Sequence, residues 1–319
     1  MPCRLADTIP ISSMSVRSFI VKFLCLGLVV LILDKGTGRV LKHFYFRESS
    51  GQHYRTTVAM EKTVAEVLVF GSSRASRHYV PEVISSGLGM TCYNTGMEGN
   101  GVFYQLAVLR SVLKRHTPEI VILDFDGIAS GGDNQVTYDS LSSLLPYYDT
   151  HAEIRNIVEL RGPYERFKVY SGIYPFNSQL LKIIAGNLER NKIRQADDRG
   201  YLPLRGKWDG DTQPVVKCSD GVDRKRHAAY SEFMELCAGQ GIKLFVVLSP
   251  SYVLFCGGPD LQAHFRDYIS KGVCFVDFKN DAIFSSPSLY NDPGHLNHQG
   301  ALIFSKLLVD RIQSEMHTD

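Results

Sequence analysis

The sequence predicts a doubly wound α/β fold: a parallel sheet of about five strands, flanked by helices and interrupted by a mid-chain insertion. Three observations carry that expectation. Short runs that are apolar at successive positions recur, as in Val67–Phe70, Glu119–Asp124, Gly241–Leu248 and Val273–Phe278. A strand covered by helices on both faces of its sheet reads this way. Stretches of helical periodicity separate the runs, giving the alternating order of an α/β sheet. Polar, glycine-containing turns follow several strands, at the edge where open α/β sheets place ligands.

Length and composition set the bounds. The 319 residues, 44% hydrophobic and 21% charged, suffice for one sizeable core, or one core plus an insertion. A formal charge of +2 generates no strong field, so nucleic acid is not an expected partner. The seven cysteines are odd in number and scattered, with no C-x-x-C pair. No structural zinc is expected; a disulfide is allowed but not demanded, and Cys92 and Cys274 read as ordinary buried thiols.

Residues 1–17 form a short N-terminal tail. Residues 18–34 follow, and their uninterrupted part, Phe23 to Leu33, is apolar except at Gly27. A bilayer span needs about 20 apolar residues, which this segment reaches if Lys22 snorkels. It is read as an uncleaved signal anchor, which places the following domain outside the cytoplasm, in the cell envelope or periplasm. A cleaved signal ending at the weak Gly36-Thr37-Gly38 site and a buried core helix are the alternatives. Arg4, Arg17 and Lys22 before the segment are matched by Lys35, Arg39 and Lys42 after it, so charge leaves the orientation open. Residues 35–62 read as a polar linker, and residues 63–319 as the α/β domain.

Within that domain the first strand, Val67–Phe70, runs into Gly71-Ser72-Ser73-Arg74. Pro81 opens a short helix that Gly87 is expected to stop. Thr91–Asn94 is a second strand, and the loop Thr95–Gly101 holds three glycines that permit close backbone approach to a ligand. Val102, Leu106, Leu109 and Leu113 mark an amphipathic helix ending before Pro118. After the third strand comes an insertion at about 128–226, with most of the tyrosines and the only tryptophan, Trp208. A helix over Ala228–Ala238, the strand ending at Leu248, a helix over Asp260–Lys271 and the strand Val273–Phe278 resume the alternation. The last helix starts at His298 with Asn297 as its cap. The arrangement is that of a flavodoxin-like sheet.

Chemistry concentrates at two of the turns. Ser73 would stand at the carboxyl edge after the first strand. Asp292 and His295 are three apart on a loop just before the last helix, close enough for the carboxylate to orient the imidazole. Read separately, Asp, Pro, Gly and Asn are ordinary turn formers. Together, Phe70-Gly71-Ser72-Ser73, Asn94-Thr-Gly-Met-Glu-Gly99 and Asp292-Pro-Gly-His295-Leu-Asn297-x-x-Gly300 resemble the first, second and last blocks of the SGNH/GDSL hydrolase superfamily. The Gly-Ser-Ser-Arg form, the long insertion and the apolar N-terminus are similar to its exported D-alanyl-transfer and alginate-acetylation branches.

That resemblance implies a Ser73, His295, Asp292 triad, with an oxyanion held by the backbone N–H groups of Ser73 and Gly99. The family's third block, Gly-x-Asn, has no counterpart in Leu123–Ile128, and Asn100 or Arg74 is the candidate substitute donor. The implied chemistry is acyl transfer through a covalent intermediate, with no cofactor and no metal. The implied partners are an acylated carbohydrate or small ester as substrate, the membrane through the N-terminal helix, and other proteins of an envelope complex. His298 competes with His295 as base, but its place at a helix start favours a surface role.

Two other classes are carried alongside. Val121–Gly127 resembles the D-x-D-G motif of haloacid-dehalogenase-type phosphatases, which implies Asp124 as nucleophile, Asp126 as acid/base and Ser249 in the second motif, with Mg²⁺. A non-catalytic glycan-binding module on the same fold would use Arg190, Lys192, Arg194, Arg224, Lys225 and Arg226 with tyrosines as sugar platforms.

Overall fold

The computed structural model describes residues 15–125, 134–188, 199–210, 215–218, 223–256, 272–279 and 281–317. Asp126, Arg190, Lys192, Arg194 and the helix expected over Asp260–Lys271 lie outside them.

The described residues open on helix α1, Val16–Arg47, followed by α2, Gly51–Thr57, and a π-helical turn, Val58–Lys62. Residues 35–62 are therefore not a linker. Tyr45 of α1 and Ala59 and Met60 of the π-helical turn are buried in the main core, and these anchoring residues, split between two elements, left no single helical stripe to detect. Up to Leu33, α1 is exposed along its length, and it is the one helix among the described residues long and apolar enough to cross a membrane.

Strands β1 (Val67–Phe70), β2 (Cys92–Asn94) and β3 (Ile120–Asp124) are interleaved with helices α3 (Ser73–His78), α4 (Pro81–Leu88) and α5 (Val102–Leu113). Gly89, at φ +69°, ends α4 as a left-handed cap, two residues beyond the expected Gly87. Among the described residues the insertion is largely helical, with α6 (Asn134–Asp139), α7 (Arg155–Val158), α8 (Glu165–Lys168) and α9 (Leu180–Asn187). Its Leu141, Leu144, Ile154 and Val158 join the core around α5. Beyond β4 (Val215–Cys218) come α10 (Arg224–Gly239), β5 (Lys243–Leu248), β6 (Val253–Cys256) and β7 (Val273–Asp277). The chain closes with β8 (Tyr290–Asp292), β9 (His295–Leu296) and α11 (His298–Met316).

The main sheet has the order β2-β1-β3-β5-β7, with every pairing parallel. It is the expected five-stranded doubly wound sheet. Alternation along each strand explains why the runs are apolar throughout. Leu68, Phe70, Val121, Leu123, Leu244 and Val246 face the core shared with α5 and α10, whereas Val67, Val69, Ile120, Ile122, Phe245 and Val247 face the core shared with α11. The order reverses between β1 and β3, and the carboxyl ends flanking such a reversal are where open α/β sheets hold ligands. Ser73 and Asp124 stand there.

Candidate active site

Ser73 is the first residue of α3. Gly71, between strand and helix, sits at φ +147°, and a Cβ there would come within 2.7 Å of the Ala75 Cβ and 2.9 Å of the Asp124 Cβ. Only glycine makes this turn without strain. The Gly71 carbonyl accepts from Gln105 Nε2 at 2.6 Å and from the Met97 N–H at 3.1 Å, which ties the turn to α5 and to the Asn94–Gly99 loop.

The Ser73 hydroxyl lies 2.7 Å from His295 Nε2, and His295 Nδ1 lies 2.8 and 3.1 Å from the two carboxylate oxygens of Asp292. Neutral His295, donating from Nδ1 to Asp292, presents its Nε2 lone pair to the serine. Asp292 also accepts the Gly294 N–H at 2.9 Å. Partial burial raises the pKa of this carboxyl group, but the charge His295 carries when protonated and these hydrogen bonds outweigh it and hold the value below the ordinary 3.8. The other residues of the motif support the loop. Asn297 Oδ1 caps α11 through the Gly300 N–H at 3.0 Å, and its Nδ2 donates to Ser288 O at 2.7 Å. A Cβ on Gly300 would stand 2.3 Å from the Leu289 oxygen.

The Asn94–Gly99 loop is held from below. Asn94 Nδ2 donates to the carbonyls of Ala75 and Tyr79 at 2.7 and 2.9 Å, and Asn94 Oδ1 accepts the Gly96 N–H. Glu98 accepts from the Ser76 hydroxyl at 2.6 Å and pairs with Arg55 at 3.3 Å. Gly99, at φ +73°, faces open space. The N–H groups of Ser73 and Gly99 have no acceptor among the described residues. Asn100 is buried, with Nδ2 3.3 Å from Glu98 O and Oδ1 unpartnered. Arg74 is directed elsewhere, with Nε 3.2 Å from Asp124 and a bond to Phe125 O at 2.7 Å.

Asp124 is 1% exposed and also accepts from Tyr79 OH at 2.8 Å. This carboxylate closes a strand end inside the protein, and Ser249 is equally buried. His298 bonds Tyr201 OH through Nδ1 at 3.0 Å and does not join the Ser73 and Asp292 chain. It lines a separate groove of about 1060 Å³ between α4 and α11, to which none of Ser73, Asp292 and His295 contributes. Of the expected cationic surface, Arg224, Lys225 and Arg226 form the first turn of α10, capped by Asp223.

Three supports were not legible as such. Arg55, from the stretch read as a linker, donates to Gly96 O at 2.5 Å as well as to Glu98. Residues 199–208 run as a strap past the site: Asn94 donates to Arg199 O, Leu202 to Ser76 O, His298 to Leu204 O and Trp208 to Tyr290 O. His78, fully buried, accepts the Leu296 N–H on Nε2 at 3.0 Å, one residue from the His295 imidazole. A histidine five residues after Ser73 was the available signal.

Burial, then the Arg74 charge, depresses the His78 pKa well below 6.5. The folded chain refuses a proton there that the unfolded chain takes. Its contribution to stability is complete above pH 6.5 and is lost as pH falls below that value. Stability of the wild type against thermal unfolding is expected to fall with acidity below pH 6.5, by up to about 1.4 kcal/mol per pH unit from this group alone. His78→Gln, whose carbonyl retains an acceptor for Leu296, is expected to flatten that slope in a melting series on either side of neutrality.

No family model matches the chain, and no curated protein matches it.

Proposed function

We propose that the chain is a membrane-anchored serine esterase or O-acyltransferase of SGNH/GDSL type, acting on an acylated envelope or extracellular glycan. The observation that carries this reading is the unbroken hydrogen-bond chain from Ser73 through His295 to Asp292. In it Ser73 Oγ attacks the ester carbonyl as His295 Nε2 takes its proton. The same imidazolium then returns a proton to the departing alkoxide, and Asp292 holds the tautomer. The unengaged N–H groups of Ser73 and Gly99 supply the oxyanion donors. Water completing the second half-reaction makes an esterase, and a sugar hydroxyl makes a transferase. Trp208 and Tyr252, with ring centroids 4.9 Å apart beside the Pro293 turn, offer aromatic surface for a sugar near the triad.

Retention of α1 as an anchor is favoured by Asp34 and Gly38, which pack on the folded domain. Cleavage near Gly38 would fall inside a continuous helix and remove the Asp34 bonds. The test is labelling of the full chain in detergent with a fluorophosphonate probe, followed by mapping of the modified peptide. The modified residue is expected to be Ser73. Labelling elsewhere, or none under conditions that label a known serine hydrolase, overturns the assignment.

A further inference from the structure

We propose that the segment Tyr164–Gly172, with the cations Lys35, Arg39 and Lys42 of α1, is an interfacial collar that seats the domain on the anionic headgroups of the bilayer entered by α1. The inference rests on the anchoring reading above. From Val16 to Leu33, α1 rises about 27 Å at 1.5 Å per residue, close to a hydrocarbon thickness of about 30 Å. Asp34 and Lys35 therefore emerge at headgroup level.

The insertion is fastened at this level. Asp34 accepts from Ser171 Oγ and from the Gly172 N–H, both at 2.6 Å, and the Lys35 ammonium donates to the Tyr170 carbonyl. Gly38 is buried against Gly172, and a Cβ on Gly38 would stand 2.3 Å from the Gly172 carbonyl. Such contact fixes the loop to α1 over about the first turn and a half after Leu33, where the continuous apolar run ends.

Three aromatic rings crowd this loop, and all face solvent: Tyr164 at 67%, Phe167 at 54% and Tyr170 at 74% exposure. A single exposed ring needs no explanation, but three within seven residues, at the depth where a bilayer has its interface, match the belt that tyrosine and other aromatics form there. The loop is held in shape by buried Glu165, which pairs with Arg161 and Lys168 and accepts from Tyr174 OH. Lys35, Arg39 and Lys42 recur at helical spacing on one side of α1 and border a cleft of about 210 Å³ that also includes Tyr148, Asp149, Ser171 and Gly172. Arg39 and Lys42 have no ion-pair partner among the described residues. Basic side chains at this level complement anionic lipid headgroups.

The test uses the full chain in nanodiscs of phosphatidylcholine and phosphatidylglycerol with brominated acyl chains. Trp208 is the only native tryptophan, so an added indole is read as a difference from the parent protein. Three variants are compared: Val29→Trp inside α1, and Tyr170→Trp and Phe167→Trp on the collar. Both collar indoles are expected to shift to the blue and to lose emission to the brominated lipid, less steeply than the indole of Val29→Trp. Arg39→Glu with Lys42→Glu is expected to reduce that loss when phosphatidylglycerol is present. If Val29→Trp is quenched and both collar variants behave as in water, the collar is refuted and the anchor stands. If Val29→Trp is not quenched, the anchoring reading fails and the collar falls with it.

Discussion

Ser73→Ala is expected to lower turnover of p-nitrophenyl acetate by about 10³- to 10⁴-fold, with little change in unfolding midpoint. A complete triad loses roughly 10⁶-fold on removal of its serine, because only the oxyanion site and substrate binding remain. On the proposed SGNH-type reading the side-chain oxyanion donor is missing here, and such a donor is worth about 10²- to 10³-fold. The wild type thus starts lower, and the ratio shrinks by as much of that loss as the residual, serine-independent reaction does not share. Stability should hold, since alanine suits the first turn of α3 and the lost hydroxyl bond to His295 at 2.7 Å contributes only about 1 kcal/mol. A loss of less than tenfold in kcat would show that Ser73 is not the nucleophile. Removal of a group that merely packs would move the midpoint and leave the rate.

How much of this was readable beforehand depends on the range of the interactions. The sheet was legible because its inner strands β1 and β3 are buried on both faces, and Val67–Phe70 or Ile120–Asp124 announces that in four or five consecutive residues. The Asp292 to Gly300 motif was legible because its parts are local: a turn and a cap within nine residues, and a close approach of Gly300 to Leu289 within twelve. Arg55 was not. Its carboxylate partner lies 43 positions away, and a lone arginine among polar residues looks solvated until its partner is known. His78 was hidden for the same reason, as the amide it accepts belongs to Leu296, 218 residues on. The helices over 35–62 escaped detection because they bury residues against several elements, without repeating one stripe.

Asp292→Asn tests whether the carboxylate works in the reaction or only shapes the turn, and kcat is expected to fall by about 10²- to 10³-fold. In a buried triad the same change costs about 10⁴-fold, because the amide presents N–H to the imidazole and turns the wrong nitrogen toward the serine. Asp292 is 43% exposed on its side chain, and solvent screens part of its interaction with the imidazolium, so a smaller effect is expected. The geometric term survives screening: an asparagine oxygen can keep the Gly294 N–H bond, while its NH₂ opposes His295 Nδ1. The turn should then remain folded and the rate still fall. Asp292→Ala, which loses the Gly294 acceptor as well, is expected to lower the unfolding midpoint too. An Asn variant within threefold of wild type would reduce Asp292 to a turn former, and would leave Ser73 and His295 as a catalytic pair without an orienting acid.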